Sequence, residues 1–77
     1  MQVREELLRE HSKKKAVYIA VFAGASAKNF KQLMHCYLHD VYRISQRAAW
    51  SVRFVAMNKP ALIKPYIPTL VGLLSRL

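Results

Sequence analysis

Seventy-seven residues make one small domain at most, and a chain of this size buries a smaller share of its surface than a typical domain, which points to an oligomer or to a larger parent protein. Hydrophobic residues are 53% of the chain, with two glycines and three prolines, a composition that excludes disordered and fibrous segments and predicts a packed fold. Thirteen bases against four acids give a net charge of +9, which predicts an anionic partner, whether nucleic acid, anionic lipid or acidic protein, and leaves the fold open.

Residues 1–10 hold two arginines and three glutamates, so the positive charge lies in residues 11–77, with eleven bases and the single acid Asp40. Period-2 alternation is absent and spacings of three and four recur along the chain, which predicts an all-α protein of five helices. Val3, Leu7 and Leu8 outline a short first helix, with Glu5 and Arg9 set for an i, i+4 pair. Ser12 is placed as the N-cap of a second helix reaching Ala23, although Lys13, Lys14 and Lys15 in its first turn oppose the helix dipole. One continuous helix across both is the alternative. Gly24 closes the second helix and Ser26 caps a third, in which Phe30, Leu33, Met34, Tyr37, Leu38 and Val41 fall at i, +3, +4, +7, +8 and +11.

A fourth helix runs from Tyr42 to Asn58, where Lys59-Pro60 ends it because the residue before proline avoids the α region. Pro60 then opens the fifth as an N1 residue, and Pro65 and Pro68 predict a bend between 60 and 68, since each removes a donor and strains the preceding turn. Beyond the bend Ile67, Leu70, Val71, Leu74 and Leu77 form one apolar stripe with no polar closing turn. That predicts an uncovered edge.

The pattern is doubled. An offset of 32 pairs Lys15 with Arg47, Ala16 with Ala48, Tyr18 with Trp50 and Phe22 with Phe54. An offset of 37 pairs Leu33 with Leu70, Met34 with Val71 and Tyr37 with Leu74, the difference matching the proline-bearing bend. A helix pair recurring at this period is how solenoid arrays look in sequence, each unit covering its neighbour's apolar face. The stretch "QRAAWSVRFVAMNKPALIKPYIPTLVGLL" resembles a HEAT repeat. Ala48, Ala49, Trp50 and Val52 stand where the family carries small residues and a large hydrophobe, Pro60, Leu62 and Pro65 in its proline turn, and Leu70, Leu73 and Leu74 in its leucine-rich second helix. Residues 12–40 match more loosely. The resemblance implies antiparallel helix pairs stacked as a short α-solenoid of about two repeats over a single domain, 1–77, and speaks to architecture more than to activity. Arrays of this kind usually need three or more units, so the chain is expected either to self-associate or to belong to a longer array.

Arg43, Arg47, Trp50 and Phe54 share one face at i, +4, +7 and +11. Guanidinium groups beside aromatic faces can hold bases or a phosphate strand, and Lys28 and Lys31 on the third helix extend the candidate binding surface. The structural reading of the same residues is favoured: aromatics at helical spacing pack on neighbouring helices while arginines snorkel. His35 and His39 lie at i, i+4 on one face and are the candidate metal ligands, yet two ligands from one helix are insufficient alone, and Cys36 and Asp40 lie off that face.

No paired carboxylates, no GxSxG elbow and no glycine-rich phosphate loop occur, so the chain is expected to be non-enzymatic and without a cofactor. A single cysteine suits a reducing compartment, the start "MQVREELLRE" lacks the apolar core of a signal peptide, and the longest uncharged run, Ala16 to Ala27, is 12 residues against roughly 20 for a membrane span. A cytoplasmic helical-repeat scaffold that binds another protein, and itself, is the expected function. The alternative is DNA binding through a basic face, prompted by the charge of residues 11–77 and the Arg43, Arg47, Trp50, Phe54 stripe; some alkylpurine DNA glycosylases are built of HEAT-like repeats, but no base-excision motif carries over, and Asp40 as an acid rests on analogy of fold alone.

Overall fold

The computed structural model describes residues 2–75, with side chains as far as Gly72. Helices α1 (Val3–Arg9), α2 (Lys13–Ala23), α3 (Ala27–His39) and α4 (Tyr42–Asn58) are followed by a bent fifth segment. That segment is made of α5 (Pro60–Ile63), one 3₁₀ turn (Lys64–Tyr66) and α6 (Ile67–Ser75). No strand occurs among the described residues, and the fold is all-α.

Local chemistry sets the boundaries. The Ser12 hydroxyl accepts from the Lys15 amide at 3.1 Å and the Ser26 hydroxyl from the Asn29 amide at 3.1 Å, so each helix begins where a side chain satisfies an otherwise orphaned donor. Glu10 is extended, at φ −153° and ψ 137°, which separates α1 from α2 and removes the continuous-helix alternative. Gly24 lies at φ −73° and ψ −9°. It therefore ends α2 without the left-handed conformation that favours glycine there; a β-carbon at this position would stand 3.1 Å from the Ala20 carbonyl oxygen. Val41 is extended and exposed before α4, so the apolar stripe of α3 stops short of it. The i, i+4 pair expected in α1 is replaced by Arg9 with Glu6, at 3.3 Å.

Pro60 occupies the first turn of α5, and the bend predicted from Pro65 and Pro68 is the Lys64–Tyr66 turn, in whose first turn Pro65 stands, a place where an N–H has no intrahelical acceptor to lose. Leu77 and the side chains of Leu73 and Leu74 lie outside what is described.

The core is built by α1 to α4 around Phe30, Ile19, Leu33, Met34 and Ile44, all nearly inaccessible to solvent. Each such side chain contributes on the order of 1.5–3 kcal/mol by leaving water. Ala16, Ala20, Ala23 and Ala48 keep the helices close, and Ser51 Oγ crosses the seam to donate to the Ala16 carbonyl at 2.9 Å. Tyr66 stands edge-on to Phe30, with ring centroids 5.6 Å apart, and so ties the bent segment to α3. Cys36 is free and buried, and burial first, then the charge of Asp40, pushes its thiol pKa up.

Four contacts hold α1 to this body. The Val3 amide donates to Gln32 Oε1 at 2.6 Å, Arg4 Nε pairs with Asp40 at 2.7 Å, Lys15 Nζ with Glu6 at 2.7 Å, and Arg47 Nη1 donates to the Leu7 carbonyl at 2.7 Å. Val3 and Leu7, one turn apart, are the buried anchors, while Leu8 is exposed.

Candidate functional site

Two consecutive reversals, α2 to α3 and α3 to α4, leave α2 and α4 side by side and running in the same direction. The Ser51 to Ala16 bond fixes their middle, and Lys59 approaches Gly24 at the far end. Only part of α2 is absorbed by this packing. Ala16, Ile19, Ala20 and Ala23 face inward, but the helix is apolar on its outer side as well, and Val17 and Val21 remain in contact with solvent. Val21 is 71% exposed and, across the seam, Met57 of α4 is 69% exposed.

Between the two helices the surface dips into two neighbouring cavities that share Phe54. One, of about 340 Å³, has Val17, Val21, Phe54 and Val55 on its floor and Asn58 and Lys59 at its end. The other, of about 350 Å³, is bounded by Lys13, Trp50, Arg53, Phe54 and Met57. Together they make an apolar groove along α2, roughly 16 Å long at 1.5 Å per residue, with Lys13 toward one end, Lys59 at the other and Arg53 along the α4 side.

The stripe read from the sequence is divided by the tertiary structure. Arg43 is exposed, but Arg47 turns its guanidinium inward onto the Leu7 carbonyl. Trp50 is half-buried, edge-on to His11 with centroids 5.7 Å apart. Phe54 is half-buried against the core and contributes its free side to the groove. Lys28 and Lys31 lie elsewhere, at an open cavity between α1 and α3 with Arg4, His35 and Asp40, so they do not join the α4 residues in one depression.

His35 and His39 do meet, with ring centroids 5.4 Å apart. No third histidine, cysteine or carboxylate completes a metal-binding group among the described residues. Asp40 is engaged: its carboxylate takes the Arg4 guanidinium and also accepts from the Val41 amide at 2.8 Å. The Arg4 hydrogen bond, then that amide, holds its pKa below the usual aspartate value. Glu6 is likewise lowered, chiefly by its hydrogen bond from Lys15. No described helix is long and apolar enough to cross a membrane.

The groove itself was not singled out by motif reading. Its signal was present in Val17 and Val21, an i, i+4 pair lying off the alanine-rich stripe, which made α2 apolar on two faces when one seam needs only one. No family model, no curated protein and no solved structure matches the chain, and its chemistry has to be read from its own residues.

Proposed function

We propose that this chain is a non-enzymatic, HEAT-like helical-repeat scaffold that binds another protein through the groove between α2 and α4. The observation that carries the reading is the exposed apolar pair Val21 and Met57 beside the groove floor of Val17 and Phe54. A contiguous apolar depression rimmed by polar groups is the usual form of an interaction surface. The residues whose chemistry would suit catalysis are engaged elsewhere: Asp40 and Glu6 are the ion-pair partners of Arg4 and Lys15, and Cys36 is buried with a raised pKa.

Repeat architecture is supported by equivalences across the doubled pattern. Ala16 and Ala48 are both buried, and Phe22 and Phe54 are both half-buried against the core. Leu33 is fully buried and its counterpart Leu70 packs on the same core from α6. Met34 is 1% exposed and its counterpart Val71 is 55% exposed, so this pair is not equivalent in burial.

DNA binding remains the second reading, and the flanking of Trp50 by Lys13 and Arg53 favours it. Nuclear magnetic resonance separates the two. Addition of amphipathic helical peptides is expected to shift the backbone amides of Val17, Val21, Phe54 and Asn58. Duplex DNA that shifts those of Lys13, Trp50 and Arg53 at low salt, with no peptide moving the former set, overturns the protein-binding reading.

A further inference from the structure

We infer that the occupant of the α2–α4 groove is an acidic amphipathic helix of another protein, an inference that rests on the protein-binding reading above and adds the chemistry of the partner. Shape comes first. A depression between two helices running in the same direction presents the ridges and holes into which a third helix packs, at about 8–10 Å between axes. Val17, Val21 and Phe54 receive the apolar anchors of such a helix, and Met57 closes one side. Val21 and Met57 are each more than two-thirds exposed, so a partner removes apolar area that folding has left in water.

Charge selects the partner. Lys13 and Lys59 stand at the groove ends and Arg53 along its α4 side, and none forms a salt bridge among the described residues. A second copy of the chain is a poor supplier of the opposite charge. Of its four acids Glu6 and Asp40 are already paired, which leaves only Glu5 and Glu10 to offer a second copy. Two chains of +9 meeting face to face would also repel. A phosphate backbone is a poor occupant as well, because Val17, Val21 and Met57 offer it no donor.

The molecule already shows one helix held in a comparable way. Helix α1, sequence VREELLR, is a short amphipathic helix with two glutamates and two arginines, seated on the basic body. It uses two apolar anchors one turn apart, Val3 and Leu7, a carboxylate taken by a lysine at 2.7 Å, and an arginine on its last-turn carbonyl. The α2–α4 groove offers the same elements to a second helix: an apolar floor for anchors at i, i+4 and cations set to take carboxylates beside them.

Trp50 is the single tryptophan of the chain and borders the groove, so its emission reports occupancy. The test titrates the full chain with three peptides of about 14 residues, each with leucines at i, i+4 and i+7, flanked by glutamate, by glutamine or by lysine. The glutamate peptide is expected to bind saturably and about tenfold more tightly than the glutamine peptide, with an affinity that falls between about 50 and about 300 mM salt. The lysine peptide is expected not to bind. Val21→Asp and, independently, Met57→Asp are expected to weaken the glutamate peptide at least about tenfold with unchanged thermal unfolding, because both positions are exposed.

Equal, salt-independent binding of the glutamate and glutamine peptides overturns the acidic partner and leaves the protein-binding reading standing. Failure of all three peptides overturns both. A concentration-dependent dimer that Val21→Asp abolishes makes a second copy the occupant, and duplex DNA that displaces the glutamate peptide and stays bound near physiological salt makes it nucleic acid; either result overturns the inference.

Discussion

A hydroxyl in the middle of an alanine seam needs an acceptor, and Ser51 is held where the Ala16 carbonyl supplies one at 2.9 Å. The bond crosses two helices whose small residues bring their backbones together, so it also sets their register. Ser51→Ala is expected to lower unfolding free energy by about 1 kcal/mol, the usual net value of such a bond, seen as a lower denaturant midpoint at constant slope. Cys36 illustrates the opposite case, a reactive group made inert by its place. With the thiol buried and its pKa raised by desolvation, little thiolate exists near neutral pH. A thiol reagent such as dithionitrobenzoate is expected to label the native chain slowly and the denatured chain at the rate of a free cysteine; fast native labelling would show that α3 opens. The sequence already favours a buried or half-buried structural cysteine at this position of α3, and the structure buries it. Arg47 is different. Its spacing from Trp50 was legible, whereas its bond to Leu7, forty residues away, depends on a helix that the arginine's neighbours say nothing about.

At the scale of elements, caps and breaks were the most legible features, because they are decided by groups within four residues of one another. Ser12, Ser26 and Pro60 act where the spacing placed them. The attachment of α1 was not legible, since it is made of contacts spanning 9 to 40 residues in sequence. That attachment is sensitive to acid. The carboxylates of Glu6 and Asp40 both have folded-state pKa values lowered by their bonds to Lys15 and Arg4, so they bind protons less readily folded than unfolded. Their stabilisation is therefore complete above the ordinary carboxylate range near pH ~4 and is lost as pH falls through the lowered folded values. The melting temperature is expected to hold from neutral pH to about 5 and then to fall, with Asp40→Asn flattening that fall. Leu7→Ala, which empties the main anchor of α1, is expected to cost about 2–5 kcal/mol by chemical denaturation. In a protein of this size that is a large part of the total.

For the whole molecule, the net charge of +9 ensures some attraction to any polyanion, and the groove decides which attraction persists. Phosphate contacts by the three rim cations are expected to give a logarithmic salt slope of about −3 or shallower on duplex DNA. The weak binding they produce should vanish near physiological salt, while an acidic helix retains the apolar part of its affinity. What the sequence by itself determined was the helical class, the helix boundaries and the doubled pattern of small and aromatic residues, because each follows from neighbours within a turn or from a repeated period. Only the tertiary structure decided that the arginine and tryptophan stripe is partly turned inward, that Lys28 and Lys31 lie on another face, and that Val17 and Val21 are left uncovered. The physical reason is that burial belongs to pairs of surfaces. A helix apolar on two sides states that it can be covered twice, and which side the core takes is settled when α4 comes to lie beside α2, leaving the other side in contact with solvent.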